Sequence, residues 1–311
     1  MPSGERYYRR LCTLQYNAYV VYKNTVPFKV TGEFNTPGVF KEMSMVLRGQ
    51  AKRALWNKFR GISPYPIDSK GYVKELTHNL VPGVELKDFE SELNAGSGDE
   101  LKRKFRAVHS SSALVVNTFA PFKKDPSSLN LCGVQGFRSI RFEQKLSTGL
   151  GGTPPNLDLV AENDTDVIAV ESKLLEYFGP KKPSFTKSYR KEKLPQAEDK
   201  WLALMERLRD RAPKYLDVAQ LIKHYFGLRN NAECTKRNIT LLYLFWEPEN
   251  SSKLDLFQKH RDELNEFAHD VAETSIRFAY KSYAELWSEW IAEGIFETHV
   301  KKLQSRYSIT L

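Results

Sequence analysis

Residues 157–173 read LDLVAENDTDVIAVESK, and the pattern within them predicts the centre of the fold. Residues 157–161 are mostly apolar, residues 162–166 are polar or charged, and residues 167–170 are wholly apolar. Short apolar runs around a polar turn are typical of two neighbouring strands. We therefore expect a pair of strands, the second of which runs directly into Glu-Ser-Lys at residues 171–173.

The segments on either side extend this pair into a larger sheet. Residues 139–146 (SIRFEQKL) alternate apolar and polar side chains, as half-buried strands do, and a segment rich in Gly, Pro and Ser follows them as a hairpin connection. Residues 239–246 (ITLLYLFW) are almost wholly apolar, which predicts a strand buried on both faces. Residues 276–280 predict a last strand.

Segments with helical spacing of apolar residues lie around these strands. Helices are expected at residues 40–59, 113–119, 199–211, 216–225, 252–273 and 283–303. The order of elements predicts an α/β fold, with a mixed central β-sheet flanked by helices on both faces. We expect this sheet in a domain of residues 96–311, and a smaller N-terminal lobe of unknown role at residues 1–95.

Asp158 and Glu171 are the two acids that this sheet would bring together. Side chains alternate along a strand and paired strands lie about 4.8 Å apart, so carboxylates on one face of neighbouring strands can converge. Lys173 is two residues after Glu171 and would point to the same face. An acid at the end of an apolar strand is costly to bury unless it is paired or bound to metal. The alternative is an exposed sheet face whose charges have no catalytic role.

Two acids and a lysine on one face predict a metal-dependent hydrolase of phosphodiesters. Mg²⁺ binds one or two carboxylates together with water and phosphate oxygens, and Mn²⁺ would substitute for it. Asp158 and Glu171 would be the metal ligands, with the backbone carbonyl of Ser172 as a third. Lys173 would orient the attacking water and stabilise the charge of the transition state.

The overall composition is that of a globular protein with an excess of positive charge. Lys and Arg outnumber Asp and Glu by 47 to 38, which favours nucleic acid or an anionic membrane surface as a partner. The alternative is a basic protein with no polyanionic partner. The three cysteines are too far apart for a zinc site or a disulfide framework. No apolar run reaches the length of a membrane span, so we expect a cytoplasmic protein without a membrane partner.

Two further segments are candidates for contact with a nucleic-acid backbone. Ser110 and Ser111 precede an apolar helix, where hydroxyl and backbone N–H groups can bind a phosphate, although a plain helix cap explains them equally simply. A basic loop follows the catalytic lysine, and a solvated surface loop is its alternative reading. The basic side chains proposed for contact are Lys181, Lys182, Lys187 and Arg190.

The segment from Asp158 to Lys173 resembles the signature of the PD-(D/E)XK nuclease superfamily. Longer stretches resemble a restriction-endonuclease-like branch of it, over residues 98–290. They are GDELKRKFRAVHSSSALVVNTF (98–119), FEQKLSTGLGGTPPNLDLV (142–160), AVESKLLEYFGPKK (169–182), DVAQLIKHYFGL (217–228) and SYAELWSEW (282–290). One departure is Leu157, which stands where the signature has proline.

The resemblance implies a role for each matching residue. Asp158 would be the central metal-binding acid, Glu171 the second ligand and Lys173 the catalytic lysine. Glu143 resembles an additional upstream acid, and Gln220 a functional glutamine on the helix after the core strands, with His224 on the same helical face. The resemblance further implies a restriction-endonuclease-like core, DNA as substrate and a defence-related role. A homodimer is a further expectation, because cutting two strands often needs two active sites.

Two other functions remain open at this point. A protein of this fold could bind nucleic acid without cutting it, or act only with a partner, and the intact Glu-x-Lys argues against that. A ribonuclease is the second alternative, because the same site would attack the phosphodiesters of RNA. Divalent-metal dependence separates cutting from simple phosphate binding, which depends steeply on salt instead.

Overall fold

The computed structural model describes residues 37–95, 104–180, 183–210 and 212–311. Lys41–Leu311 form one compact unit. The division of the chain at residue 95 into a lobe and a nuclease-like domain stays a prediction. No helix among the described residues is long and apolar enough to cross a membrane.

A mixed sheet forms the centre of the unit. Within the described residues its strands are β1 (Ser139–Lys145), β2 (Asn156–Glu162), β3 (Asp166–Lys173), β4 (Asn238–Phe245) and β5 (Ile276–Ser282). They lie in the order in which they occur in the chain. The pairs β1–β2 and β2–β3 are antiparallel, whereas the pairs β3–β4 and β4–β5 are parallel. The predicted mixed sheet is therefore confirmed, with strand bounds close to those expected.

Helices account for most of the other regular structure that the model describes. They are α1 (Pro37–Ile62), α2 (Glu90–Ala95), α3 (Ser111–Phe119), α4 (Asp199–Asp210), α5 (Val218–Asn230), α6 (Ala232–Thr235), α7 (Asp255–Asp270), α8 (Tyr283–Ala292) and α9 (Glu297–Tyr307). The single helical segment predicted at residues 283–303 is in fact two helices. Gly294 and Phe296 have φ angles of 72° and 45°, and this left-handed backbone separates α8 from α9.

Helices cover both faces of the sheet, as the sequence predicts. Glu171 of β3 and Tyr243 of β4 are opposite each other in the register, so they share a face. On that face Glu171 contacts α5 through His224, and Tyr243 contacts His260 of α7. On the other face Ser172 contacts α8. The parallel strands are thus buried from both sides, which explains their nearly continuous apolar sequence.

Residues before the sheet pack against α3 and α9 through buried polar contacts. The side chain of Asn117 in α3 accepts a hydrogen bond from Val81 N at 2.8 Å, and donates to Asn79 O and to the Tyr307 hydroxyl at 3.0 and 2.9 Å. Earlier in the chain, α1 buries Phe59 in a cluster with Val73 and Val108. The segment up to residue 95 therefore shares packing with both α3 and α9.

Candidate active site

The two acids predicted to converge do lie on one face of the sheet. Leu159 of β2 is opposite Val170 of β3, and continuing this antiparallel register brings Asp158 beside Glu171. The backbone N–H of Ser172 donates to Asp158 Oδ2 at 2.6 Å, which fixes the carboxylate at the edge of β3. Asp158 is partly exposed, whereas the side chain of Glu171 is 2% exposed. Asp158 is therefore the more exposed member of the pair, although the surrounding protein still desolvates its carboxyl group.

Glu171 is held between two basic side chains. Lys173 Nζ donates to Glu171 Oε1, and His224 Nε2 lies 2.7 Å from Glu171 Oε2. Lys173 Nζ also donates to Gln220 Oε1 at 2.8 Å. The resulting cluster is buried, since the side chains of Lys173 and His224 are 8% and 1% exposed. Both residues that the Glu-x-Lys pattern predicts to be functional are thus in direct contact.

Helix α5 supplies two members of this cluster because of where it begins. Asp217 is its N-cap and accepts a hydrogen bond from Gln220 N at 3.2 Å. Gln220 and His224 are four residues apart and therefore project from the same helical face. A Cβ at Gly227 would lie 2.7 Å from Leu146 O, so a glycine is needed where the helix passes the β1–β2 connection. The cap at Asp217 and the close approach of Gly227 to Leu146 together direct Gln220 and His224 toward β3.

Glu143 is the third acid of the site. Phe142 is opposite Leu159 and Gln144 is opposite Leu157, so Glu143 lies opposite Asp158. Its φ angle is 52°, a left-handed conformation that is strained for a residue with a side chain. Its carboxylate accepts a hydrogen bond from the Asn156 side chain. The register required for Glu143 to reach the face of Asp158 is therefore present.

The three charged groups have unequal proton affinities. Burial raises the pKa of Asp158 well above its ordinary value, and repulsion from Glu171 and Glu143 adds to it, against the weaker opposing pull of Lys173. Burial would also raise the pKa of Glu171, but Lys173 and His224 outweigh it and hold it at about 2. Burial would lower the pKa of Lys173, yet Glu171 and Asp158 keep it above its ordinary value. At neutral pH Glu171 and Lys173 therefore form an ion pair, beside an Asp158 carboxyl group that is harder to ionise than usual.

The donor set fits a hard divalent cation that shares its coordination with substrate. Among the described residues, no group of three or more His, Cys, Asp or Glu side chains is placed to hold a metal by itself. Mg²⁺ does not need such a group, because one or two carboxylates plus water and phosphate oxygens suffice. Each carboxylate oxygen of Glu171 has one hydrogen-bond partner and keeps a lone pair. A cation would also relieve the repulsion between Asp158 and Glu171.

A comparison with known protein families gives the context for this cluster. The family model described as Restriction Endonuclease associating with ARP matches residues 48–308 of the chain. The chain belongs to this family. No curated protein and no solved structure matches the chain. The matched region of this restriction endonuclease family contains the whole sheet and every residue of the acidic cluster.

Four of the predicted nucleic-acid contacts of this family member lie in the described residues, outside the cluster. Ser110 is the N-cap of α3 and accepts a hydrogen bond from Ala113 N at 3.2 Å, and Ser111 is partly exposed. Lys187 is exposed, and Arg190 Nε lies 3.9 Å from Glu192. Lys181 and Lys182 lie outside the described residues. Ser110 therefore caps a helix, as the alternative interpretation predicts. DNA contact by all these residues stays a prediction.

The sequence analysis missed two residues next to the site. The Tyr283 and Ser172 hydroxyls are 2.6 Å apart, on the face of the sheet opposite Glu171. Asn156 holds Glu143 from the end of β2. Tyr283 is 111 residues from Ser172, so no periodicity could connect them. Asn156 could have been found, because it precedes Asp158 by two residues in β2 and strand alternation therefore places both on one face.

Proposed function

We propose that the protein is a metal-dependent nuclease that hydrolyses phosphodiester bonds in DNA. The observation that carries the proposal is the buried contact between Glu171 and Lys173, on the same sheet face as Asp158. Burying a lysine and a carboxylate costs free energy. Apolar residues would stabilise the fold equally well, so a structural role alone does not explain this pair. A cluster of three acids and one lysine at the end of a central strand is well suited to bind a metal and a phosphate.

Each member of the cluster has a distinct task in this proposal. Asp158, Glu171 and the Ser172 carbonyl would hold Mg²⁺, or Mn²⁺ in its place. Such an ion acidifies bound water and neutralises charge on the phosphate under attack. Lys173 orients the attacking water and offsets the charge that develops on the phosphate oxygens. Glu143 contributes negative charge beside Asp158, and Gln220 positions Lys173 through its side-chain oxygen.

Several features support DNA as the substrate. The family is one of restriction endonucleases, and the net charge of +9 favours a polyanion. We assign the site to the PD-(D/E)XK superfamily, because Asp158 and Glu-x-Lys stand on adjacent strands in contact. A homodimer would supply one active site for each DNA strand. The family description adds an ARP as an associated partner, and a cytoplasmic location fits a defence against foreign DNA.

A nucleic-acid-binding protein that does not cut is the second candidate. The observation that favours it is that Lys173 and His224 each engage one carboxylate oxygen of Glu171. In this reading the ion pair is a structural element, and a metal would not displace either contact. Binding to DNA would then be independent of divalent metal and steeply dependent on salt.

Cleavage assays with a matched variant separate these candidates. Plasmid, single-stranded DNA and RNA would each be incubated with the protein in Mg²⁺, Mn²⁺ or EDTA. The proposal expects metal-dependent cutting of DNA that disappears in Lys173→Ala and persists in Lys236→Ala, which removes an exposed lysine instead. Cutting by Lys173→Ala at the rate of the unchanged protein would refute the site. Metal-independent binding without cutting would support the second candidate, and cutting of RNA alone would identify a ribonuclease.

A further inference from the structure

Two positively charged residues of α1 lie on the same side of the helix as a tryptophan that contacts the start of α3; we call these three residues the stripe. Arg48, Lys52 and Trp56 are spaced four residues apart, which places them on one side of the helix. Trp56 Nε1 donates to His109 Nδ1 at 3.1 Å, and His109 immediately precedes the N-cap of α3. Because Nδ1 accepts this hydrogen bond, the imidazole carries its proton on Nε2. His109 is thus a neutral hydrogen-bond donor beside two cations.

Within the described residues, no acid pairs with the positive charges of this stripe. No ion pair within the described part of the chain includes Arg48 or Lys52. Burial lowers the pKa of His109 to about 4, with further lowering by Lys52, Arg48 and Arg306. Burial and the charge of Arg48 likewise lower the pKa of Lys52. Like charges four residues apart on a helix destabilise it, so this arrangement favours a bound anion.

Arg306 adds a buried cation behind the stripe. Its side chain is 4% exposed and lies between the rings of Phe59 and Tyr307, at 4.6 and 4.8 Å from their centroids. Its Nη2 donates to Val108 O at 2.8 Å, so the guanidinium is directed at the segment that carries His109. Its Nη1 is buried and has no hydrogen-bond partner within the described part of the chain. No carboxylate among the described residues pairs with this guanidinium, so its positive charge acts on His109.

Packing contacts connect this cluster to the strand that carries Glu171 and Lys173. The Ser172 hydroxyl contacts Tyr283, whose ring packs against Trp287 at 5.6 Å. Trp287 in turn packs against Tyr307, the neighbour of Arg306, at 6.2 Å. Ser172 lies at the carboxyl end of β3, between the two catalytic residues Glu171 and Lys173. The contacts therefore connect the second cluster to β3 from the face opposite Glu171 and Lys173.

We propose that Arg48, Lys52 and His109, with Arg306 behind them, form a second phosphate site that binds the DNA backbone away from the bond that is cut. The inference rests on the proposed function for the identity of the ligand. Arg48 and Lys52 supply charge, His109 Nε2 supplies a neutral donor, and the positive end of α3 adds to the field. The proposed role of the site is to position the duplex, because contacts to phosphates fix the register and orientation of the protein on DNA.

Binding measured without divalent metal tests this site independently of cutting. Anisotropy of a labelled duplex would be recorded in EDTA over a range of KCl concentrations, for Arg48→Gln/Lys52→Gln. The control is Arg53→Gln/Arg60→Gln, which also removes two positive charges from α1 but lies about 100° around the helix. We expect about tenfold weaker binding for the first pair than for the control. The slope of log K against log salt should fall by about 1 to 2.

Three results would overturn the proposal. Equal weakening by the two pairs would mean a diffuse effect of charge, and unchanged binding in both would mean no contact. The third result combines a thermal-shift measurement in inorganic phosphate with the DNA affinities. In it, phosphate raises the Tm of the unchanged protein but not of Arg48→Gln/Lys52→Gln, while the two proteins bind DNA with the same affinity. That result would assign the site to a free anion. Absence of cutting together with the expected binding difference would reject the nuclease activity and leave this site in place.

Discussion

His224 Nε2 lies 2.7 Å from Glu171 Oε2, and both side chains are almost fully buried. The contact joins α5 to the end of β3, so a helix 53 residues away in the chain sets the orientation of the second predicted metal ligand. His224 Nδ1 is buried and has no partner within the described residues. The imidazole is therefore oriented by its contact with Glu171.

Replacing His224 should weaken the site without removing any proposed metal ligand. In His224→Ala, one oxygen of Glu171 is left buried without its partner, which should lower the free energy of unfolding by about 1 to 3 kcal/mol. Because residues that orient a ligand usually affect activity by about 10- to 100-fold, we expect a decrease in cutting rate in that range. Single-turnover cleavage and urea unfolding measure the two effects. A cutting rate equal to that of the unchanged protein would show that Glu171 needs no such support.

Gln220 should affect catalysis through Lys173 and have a smaller effect on stability. Gln220→Leu removes the oxygen that accepts from Lys173 Nζ at 2.8 Å, while keeping a side chain of similar size. The ammonium then has one fewer fixed acceptor, and we expect about tenfold slower cutting. Gln220→Glu retains an acceptor and should be the more active of the two variants. Equal cleavage rates in the two variants would contradict a positioning role for this oxygen.

The unequal proton affinities of the acids predict that Asp158→Asn stabilises the metal-free protein at neutral pH. The pKa of Asp158 in the folded protein is above its ordinary value of 3.8, so its ionised form costs stability at pH 7. This cost disappears below about pH 3.8, where the group is protonated in both states. Thermal unfolding in EDTA from pH 3 to pH 8 should therefore show the advantage of Asp158→Asn growing as pH rises. Added Mg²⁺ should raise the Tm of the unchanged protein and not that of the variant.

Glu171→Gln is the matched contrast, and its sign is opposite. The pKa of Glu171 is lowered from 4.5 to about 2, so its charge stabilises the fold above pH 4.5, and this stability is lost as pH falls toward 2. The amide leaves Lys173 buried without its counter-ion, and about 3 to 5 kcal/mol of stability should be lost at pH 7. If both amide variants shifted Tm in the same direction at pH 7, the electrostatic account of the site would be wrong.

Gly71 should be intolerant of any side chain because of its contact with Trp56. Its φ angle is 81°, and a Cβ at this position would lie 2.1 Å from Trp56 Nε1, the atom that donates to His109. We expect Gly71→Ala to lower the free energy of unfolding by about 2 to 4 kcal/mol, from backbone strain and displacement of the indole. Gly83→Ala is the control, because Gly83 also has a positive φ but open space around it. Urea unfolding of both variants isolates the clash, and equal losses would exclude it.

The sheet and the core of the site could be predicted from sequence because their signals are local. The alternation in β1, the apolar run of β3 and the polar turn between β2 and β3 each lie within a few residues. Pairing across that short turn fixes the register, and the register alone brings Asp158 to the face of Glu171 and Lys173. The contact between Lys173 and Glu171 follows from their separation of two residues.

Long-range packing decided what surrounds that core. The docking of α5 on β3 depends on the cap at Asp217 and on the space at Gly227, and the pairing of Ser172 with Tyr283 spans 111 residues. The left-handed backbone of Glu143 is strained, so only the surrounding contacts can hold it. Strand periodicity reports the face on which a side chain lies, because it is a property of a few neighbouring residues. It does not report which helix covers that face, because that choice is made by the shapes and charges of segments that meet only in the folded chain.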